Sequence, residues 1–199
     1  MAEEQLLIPL DTYLKVGLHI GTKFRTKYME PFIYKVRPDG LAVMNVKKIS
    51  ERIELAGRLL SQYEPKDVII LCRRENGWKP VALFSKITGI KAIMGRYKPG
   101  LLTNPDLEDF SEAKLVLAVD PWPDKNAIMD AVETGVTVIA LCDTNNEATF
   151  VDLVVPCNNK GKKSIALIFW LLAKEIMKNK GILKEGEELK ESLEDFTPE

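Results

Sequence analysis

The sequence predicts an α/β protein with an open, doubly wound and mainly parallel sheet, and three observations lead to this fold class. The chain has 199 residues, the size of one ordinary domain, and 46% of them are hydrophobic, which is enough to form a core. Short apolar runs alternate along the chain with segments of helical periodicity. The runs contain few polar residues, which is typical of parallel strands covered by helices on both faces.

The apolar runs define about five strands, and the periodic segments define the helices between them. Strands are expected at residues 41–46, 68–72, 91–94, 115–119 and 136–141. Helices are expected at residues 49–63, 80–88, 125–134 and 162–179. Gly89 and Gly135 are expected to close two of these helices in the left-handed conformation. The first two strands and the helix between them are interpreted as a β-α-β unit, which places both strands in the parallel sheet.

A single predicted domain covers residues 1–183, and the composition changes at both ends of the chain. Residues 1–40 do not follow the alternation of strands and helices, and they are expected to form a basic extension that packs on the domain or projects from it. Residues 184–199 contain seven acidic residues and two lysines with few apolar side chains. This acidic tail is therefore expected to be frayed.

The formal net charge of −1 hides a strong asymmetry between the two halves of the chain. Residues 1–100 contain 18 basic and 10 acidic side chains, whereas residues 101–199 contain 10 basic and 19 acidic ones. The bias is concentrated in residues 15–48, where eight cations and four aromatic rings accompany only Glu30 and Asp39. Cations neutralise phosphates and rings stack on unpaired bases, which indicates a surface for structured RNA. A solvated face whose rings pack on the domain is the alternative.

Several classes of protein are disfavoured by the sequence. The cysteines at positions 72, 142 and 157 form no C-x-x-C pair, so we expect buried thiols in a reducing compartment rather than a zinc site or disulfides. Residues 1–5 are acidic and lack the features of an export signal. The longest apolar run, residues 165–173, is too short to span a membrane and predicts a buried helix. A cytoplasmic protein without a membrane partner is expected.

Candidate residues for enzyme chemistry are few. Asp120 and Asp143 directly follow apolar runs, where open α/β sheets bind ligands, but the residues around them equally favour turns or helix caps. Residues 161–164, Gly-Lys-Lys-Ser, match a phosphate loop only weakly, although a helix start there can hold an anion. The single histidine, His19, has no partner for a triad or a metal site, which favours a polar anchor or a base contact. No catalytic residue, metal, cofactor or small-molecule substrate is therefore expected.

An ordered series of motifs resembles one known family. Gly17-x-His19-x-Gly21, residues 29–34 (MEPFIY) and residues 37–40 (RPDG) are similar to the start of the small-subunit ribosomal protein two family, in its archaeal and eukaryotic branch, the ribosomal protein SA type. The series continues in the family's order and spacing at residues 88–89, 95–104, 120–121, 142–145, 151–152 and 156–161. Bacterial members insert a long helical hairpin for which this chain has no room, so the archaeal type is the closer likeness.

The resemblance implies a fold and a function. The family fold is a flavodoxin-like three-layer α/β/α sandwich, which agrees with the alternation of strands and helices in this sequence. The implied function is that of a structural constituent of the small ribosomal subunit, without catalysis, near the junction of head and body. The implied partners are ribosomal RNA and neighbouring ribosomal proteins, and the implied role is in subunit assembly and translation.

The cations of the matched segments are the expected RNA contacts, because they suit phosphates. The expected phosphate contacts are Lys23, Arg25, Lys27, Lys35, Arg37, Lys47, Lys48, Arg96 and Lys98. His19 and Asn104 are expected polar contacts to sugar or base. Lys160, Lys162 and Lys163 form a second group of expected contacts.

Three classes of function remain open on the residues alone, because one fold hosts many activities. These are an RNA-binding ribosomal protein, an enzyme acting on a nucleotide or sugar phosphate, and an adhesion or receptor module. An enzyme would bring Asp120, Asp143 and Asn158 together around a phosphate, and a receptor would need an export route. The series of family motifs favours the ribosomal function.

Overall fold

Residues 6–183 and 189–198, which a computed structural model describes, form the α/β sandwich that the sequence predicts. The acidic start at residues 1–5 and residues 184–188 and 199 of the predicted tail lie outside this description. The strands are β1 (Ile33–Val36), β2 (Ala42–Met44), β3 (Val68–Cys72), β4 (Lys91–Met94), β5 (Leu115–Ala118), β6 (Thr137–Cys142) and β7 (Leu153–Pro156). The helices are α1 (Leu10–Val16), α2 (Val46–Ser61), α3 (Trp78–Thr88), α4 (Lys125–Glu133), α5 (Lys162–Asn179) and α6 (Leu193–Phe196).

Five strands form one all-parallel sheet in the order β4-β3-β5-β6-β7, flanked by helices. This arrangement is that of a flavodoxin-like sandwich and confirms the predicted fold class. All five predicted strands and all four predicted helices occur within three residues of their expected bounds, and four of these strands belong to the parallel sheet. Gly89 and Gly135 follow their helices at φ 75° and φ 70°, as predicted.

The inner strands contribute side chains to two separate cores. Val68, Ile70 and Cys72 of β3 enter the larger core, which includes residues of α2, α3 and α5. Ile69 and Leu71, which point to the other face, enter a smaller core that includes residues of α4. All side chains of β3 and β5 are therefore buried, which explains why these strands are unbroken apolar runs in the sequence.

The predicted strand at residues 41–46 forms, but it lies outside the parallel sheet. It becomes β2, which pairs antiparallel with β1 across a turn where the Gly40 N–H donates to the Arg37 carbonyl. Immediately after β2, Asn45 accepts a hydrogen bond from the Lys47 N–H and begins α2. The predicted β-α-β unit is therefore wrong, because the Pro-Asp-Gly turn favours a local hairpin over a strand in the sheet.

The fifth strand of the sheet is β7, which the sequence analysis did not predict. β7 is four residues long and ends at Pro156, which is paired with Cys142 of β6 at the edge of the sheet. A proline is tolerated at an edge because no second neighbour needs its missing N–H. The short length and the proline conceal the strand in the sequence. Helix α1, in which only Tyr13 is buried, was also not predicted from the sequence.

Both ends of the described chain are packed on the domain. Tyr13 and Leu18 are fully buried in the larger core, and the Tyr13 hydroxyl bonds the Ser50 hydroxyl at 3.3 Å. At the other end, Ser192 caps α6 and Phe196 is fully buried in the same core. In residues 189–198 one buried ring thus connects an otherwise polar segment to the larger core.

Helix α5 is the central helix of the larger core. Residues 165–173 are buried apart from the half-buried Trp170, which confirms the predicted buried helix. Among the helices of residues 6–183 and 189–198, none has the length and apolarity needed to cross a membrane. α5 packs closely on α2 at Gly57, where an added Cβ would lie 2.5 Å from Cβ of Glu175. Only glycine allows this approach of the two helices.

Replacing Gly57 with alanine tests this contact. Helix propensity alone predicts a gain of about 1 kcal/mol, whereas inserting a methyl group into a packed site costs about 1–3 kcal/mol. Because the overlap is with a Cβ atom that cannot rotate away, we expect the free energy of unfolding to fall by about 1–2 kcal/mol in urea titrations. The control Glu51→Ala, on the exposed side of α2, is expected to stay within about 0.5 kcal/mol. A stabilised G57A variant would contradict the close packing.

Candidate nucleic-acid interface

The first three predicted phosphate contacts lie on one loop, residues 21–29, which we call the basic loop. The basic loop is attached at the carboxyl end of β6, where the Thr22 N–H donates to Oγ1 of Thr144 at 2.8 Å. The Thr26 N–H donates to the Thr144 carbonyl at 3.0 Å, and its hydroxyl donates to the Asn146 carbonyl at 2.7 Å. Two threonines therefore hold the backbone of the basic loop to the edge of the sheet.

Both ends of the basic loop are fixed by packing. Gly21 lies so close to Thr144 that an added Cβ would be 2.4 Å from its Cγ2 atom. At the other end, Met29 is fully buried in the smaller core. The basic loop is thus anchored at its start, at its threonines and at its end.

The other side chains of the basic loop point away from these anchors. Lys23, Arg25 and Lys27 are exposed. Phe24 is 79% exposed and Tyr28 is 57% exposed, so both rings present open faces between the cations. The predicted combination of cations and rings is therefore present on one anchored loop, and both rings are more exposed than buried.

Buried polar groups bond the residues of the sheet edge to which the basic loop is attached. Asp120, which follows β5, is 1% exposed and accepts hydrogen bonds from Arg74 through Nε at 2.7 Å and through Nη2. It also accepts from the Trp122 N–H at 3.1 Å and from Nδ2 of Asn146 at 3.0 Å. The predicted turn role of Asp120 is confirmed by its bond with the Trp122 N–H. Its carboxylate also connects the ends of β3, β5 and β6.

Asp143, which follows β6, occupies a similar position. Its carboxylate accepts from the Thr144 N–H at 2.6 Å and from Nζ of Lys160 at 2.8 Å. Lys160 also donates to Oδ1 of Asn145 at 2.8 Å. Lys160 is therefore engaged inside the protein, which removes it from the exposed cations.

Asp124 is a third buried carboxylate at this edge. It is 2% exposed, and its Oδ2 atom has no hydrogen-bond partner within the described ranges. Burial and the nearby Asp120 raise the pKa of Asp124 to about 7, against the opposing effect of Arg73 and Arg74. Asp124 therefore keeps its proton well above the pH at which a solvated aspartate loses it.

The hairpin and the start of α2 carry four more predicted contacts, Lys35, Arg37, Lys47 and Lys48. Lys35, Arg37 and Lys47 are exposed, and Arg37 lies 3.6 Å from the Asp39 carboxylate. Lys48 donates through Nζ to the Pro31 carbonyl, which ties α2 to the segment before β1.

Arg96, Lys98 and Asn104 lie in the connection after β4. Arg96 and Lys98 are both exposed, and Lys98 forms an ion pair with Asp109 at the surface. Oδ1 of Asn104 accepts from the Asp106 N–H at 3.0 Å, so it closes a turn. Between Arg96 and Lys98, burial raises the pKa of Tyr97, whose hydroxyl donates to Asp130 at 2.8 Å.

His19 follows Leu18, whose carbonyl accepts a hydrogen bond from the N–H of Asn158 at 3.0 Å, in the connection that leads to α5. Nδ1 of His19 is buried without a hydrogen-bond partner in the part of the chain that the structure covers. Partial burial lowers the pKa of His19, and a hydrogen bond with the Tyr13 backbone opposes this by raising it. Lys162 and Lys163 are exposed in the first turn of α5.

The three cysteines are buried, as predicted. Each is at most 1% exposed, and burial raises their pKa values, that of Cys72 to about 12. A thiol with such a high pKa is not a nucleophile at neutral pH. The cysteines therefore serve as small apolar side chains.

The residues that hold the interface together were not predicted from the sequence. Thr22, Thr26 and Thr144 carry no motif of their own, and their contacts join positions about 120 residues apart. A spacing rule cannot find such pairs. The only signal is the pair of threonines placed among the cations of the basic loop.

Comparison with known proteins gives one consistent result. The family described as ribosomal protein S2 matches residues 106–179. The small ribosomal subunit protein uS2 of Picrophilus torridus is 46% identical over 98% of both chains, and that of Thermoplasma acidophilum is 44% identical over 98% of both. This chain belongs to the ribosomal protein S2 family. The relative of the same name from Nanoarchaeum equitans is 47% identical over 96% of this chain and 94% of the relative's chain. These archaeal relatives agree with the predicted archaeal type.

Membership in the S2 family bears on the enzyme alternative. Ribosomal protein S2 is a family of ribosomal proteins and not an enzyme family. Asp120 and Asp143, the two enzyme candidates of the sequence, each accept hydrogen bonds from a cation of the same chain. They act as structural anchors of this S2 protein.

The raised pKa of Asp124 predicts a pH dependence of stability. The folded state holds this proton up to about pH 7, whereas the unfolded chain releases it near pH 4, so rising pH across this interval destabilises the protein. The variant Asp124→Asn has no carboxyl group at this position and therefore does not lose stability in this way as the pH rises. Its free energy of unfolding, relative to wild type, is expected to increase from pH 4 to pH 8 by roughly 1.4 kcal/mol for each unit of pKa displacement. A difference between the two proteins that is constant from pH 4 to pH 8, measured in urea, would contradict the burial of this carboxyl group.

The packing of Gly21 on Thr144 predicts a local effect of Gly21→Ala. The new methyl group displaces Thr144, and the Thr22 and Thr26 amides that bond it are expected to exchange with deuterium at least about tenfold faster. Combining Gly21→Ala with Thr144→Ser removes the closest methyl group and is expected to recover part of the protection. Unchanged exchange in the single variant would show that Thr144 does not anchor the loop.

Proposed function

We propose that this chain is a structural constituent of the small ribosomal subunit and that its basic loop binds small-subunit ribosomal RNA. Support for the subunit comes from the S2 relatives, which are named as small ribosomal subunit proteins and match almost the whole chain. Support for the RNA surface comes from the anchored loop, with three cations and two open rings between residues 23 and 28.

The exposed Phe24 between Lys23 and Arg25 is the observation that carries the RNA proposal. A phenylalanine that is 79% exposed loses the free energy of burial, and a surface that only needs solubility favours polar residues there. A ring flanked by cations instead suits an unpaired base whose phosphates the cations neutralise. The threonine anchors fix the loop before binding, which lowers the entropy cost of association.

The other exposed cations extend this surface. Lys35, Arg37 and Lys47 belong to the hairpin and the start of α2, and Arg96 follows β4. Lys162 and Lys163 begin α5, which follows the carboxyl end of β7. Lys98, which is exposed beside Asp109, remains a phosphate contact in this proposal, whereas Lys48, Asn104 and Lys160 stabilise the surface through the hydrogen bonds described above. His19 lies beside the hairpin, because its carbonyl accepts a hydrogen bond from the Met44 N–H at 2.8 Å.

The finer assignments follow from the same proposal. The protein would contact neighbouring ribosomal proteins as well as RNA near the junction of head and body, and it would act in subunit assembly and translation in the cytoplasm. Catalysis has no part in this function. Co-sedimentation of the chain with small subunits in a density gradient is the expected result, and a chain found only in the free fractions would contradict the proposal.

Charge reversal of the basic loop tests the RNA surface. The variant Lys23→Glu/Arg25→Glu/Lys27→Glu is expected to bind full-length small-subunit RNA at least about tenfold more weakly in filter binding at 100 mM salt. Its plot of log affinity against log salt is expected to be shallower by about two to three units, because about one counterion is released per phosphate contact.

The control variant carries the same change of charge, but at the amino ends of the strands. Lys66, Lys86 and Lys180 are exposed and lie before β3, at the end of α3 and after α5. Changing all three to glutamate is expected to preserve the salt slope. Equal losses in both variants would show that net charge, and not the basic loop, controls RNA binding. Thermal unfolding of both variants confirms that the fold is kept.

A further inference from the structure

The basic loop is attached to one short turn, residues 143–146, which directly follows β6. The hydrogen bonds that Thr22 and Thr26 donate to the sheet edge end on Thr144 and on the Asn146 carbonyl. The segment between these two loop threonines carries two of the predicted cations and an exposed ring. The geometry of turn 143–146 therefore positions this part of the RNA surface.

Asn146 closes the turn from both sides. The Asn146 N–H donates to the Asp143 carbonyl at 3.0 Å. In return, the Asp143 N–H donates to Oδ1 of Asn146 at 2.7 Å. Thr144 lies between these two residues in the chain, so the two bonds also fix the groups of Thr144 to which the basic loop is attached.

The side chain of Asn146 is held in one orientation by buried neighbours. It is 2% exposed, and its Oδ1 atom also accepts from Nδ2 of Asn159 at 3.0 Å. Its Nδ2 atom donates to Oδ1 of Asp120 at 3.0 Å. A reversed amide would set its NH2 group against two donors and its oxygen against a carboxylate. The buried polar network therefore determines how Asn146 is placed.

Position 146 suits an amide and not a carboxylate. A carboxylate accepts hydrogen bonds but donates none, so it would leave Asp120 without this donor. It would also add a negative charge at hydrogen-bond distance from Asp120 and beside Asp143, both of which are buried. The amide supplies a donor and an acceptor without a charge.

We infer that Asn146 is a positioning residue of the RNA surface: it holds the turn to which the basic loop is attached, and the affinity of the loop for RNA depends on its side-chain amide. This inference rests on the proposed function and deepens it, since it names a buried residue that controls binding through the loop. A loop that is ordered before binding loses less conformational entropy on association. A loop released from the turn loses that advantage, although it keeps its cations.

The variant Asn146→Asp tests the inference, because a proton can reverse its effect. At pH 8 the new carboxylate faces Asp120, and RNA binding is expected to be about tenfold weaker than in wild type. At pH 5 the new carboxyl group is expected to be protonated, because burial and Asp120 raise its pKa, and it then donates to Asp120 as the amide does. Affinity at pH 5 is therefore expected to lie within about twofold of wild type. Filter binding to full-length small-subunit RNA at about 100 mM salt measures both affinities.

The charged groups around position 146 are the same in wild type and variant. They are the carboxyl groups of Asp120, Asp124, Asp143 and Glu147 and the cations Arg74, Lys125 and Lys160. Asp124, with a pKa of about 7, titrates between pH 5 and pH 8 in both proteins. The ratio of the two affinities at each pH therefore reports the new carboxyl group.

The control Asn126→Asp makes the same chemical change in the first turn of α4, where the side chain is exposed. Because water screens a charge at this position, RNA affinity is expected to stay within about twofold of wild type at both pH values. Equal losses in Asn126→Asp and Asn146→Asp would show that added negative charge, and not the position of the basic loop, weakens binding.

A second variant, Thr26→Val, tests the same connection without changing the buried network. It removes the hydroxyl that donates to the Asn146 carbonyl and is expected to weaken RNA binding by about fivefold at pH 5 and pH 8 alike. The double variant at pH 8 is expected to bind as Asn146→Asp does, because both changes release the same loop. Additive losses would contradict an action of Asn146 through the loop. If thermal unfolding shows that Asn146→Asp is not folded at pH 8, unchanged RNA binding by Thr26→Val overturns the inference.

The outcomes separate the inference from the proposed function. Hydrogen exchange of the Thr22 and Thr26 amides reports the attachment of the loop in the absence of RNA. Faster exchange in Asn146→Asp at pH 8 combined with wild-type RNA affinity would overturn the positioning role and leave the RNA surface in place. A loss of affinity that persists at pH 5 would also overturn it. If charge reversal of the basic loop leaves RNA binding unchanged, the proposed RNA surface is wrong, and the inference fails with it.

Discussion

The carboxyl edge of the sheet depends on one constraint, which is that its buried polar side chains must satisfy each other. Asp120 and Asn146 follow neighbouring strands and bond each other directly, and Arg74 reaches Asp120 from the end of β3. Removing one partner of a buried charge leaves the other uncompensated, so the network holds the strand ends in a fixed arrangement. The Arg74–Asp120 pair also occupies the crevice between β3 and β5, where the strand order reverses and doubly wound proteins bind their ligands.

The same network withdraws charges of both signs from the surface. The acidic half of the chain places Asp120 and Asp143 inside the domain, where they bond Arg74 and Lys160. These carboxylates therefore do not repel a polyanion at the surface. Thr144, next to Asp143, holds the basic loop of the other half. Asp120 and Asp143 and the cations that they bond thus serve as internal anchors, whereas the cations of the basic loop stay exposed.

The hairpin and β7 show where sequence reasoning reached its limit. An unbroken apolar run predicts a strand, but it does not predict the partner of that strand, because pairing depends on the turn and on register. Residues 42–44 therefore joined β1 and not the sheet. β7 is paired on one side only, so it tolerates a terminal proline and lacks the long apolar run of an inner strand. Phe196 shows a third limit, since one aromatic ring in an acidic segment is a weak signal until the core that accepts it is known.

The sequence by itself determined the fold class, the inner strands, the four long helices, the burial of the cysteines and the family, because these depend on local periodicity and on an ordered series of motifs. It also identified the stretch that carries the cations and rings. Only the tertiary structure decided which of the predicted cations face outward, because exposure depends on contacts between residues distant in the chain. Lys160 reaches Asp143, whereas Lys23, Arg25 and Lys27 are held outward by threonines bonded about 120 residues away. Such contacts form only when the sheet brings the ends of its strands together.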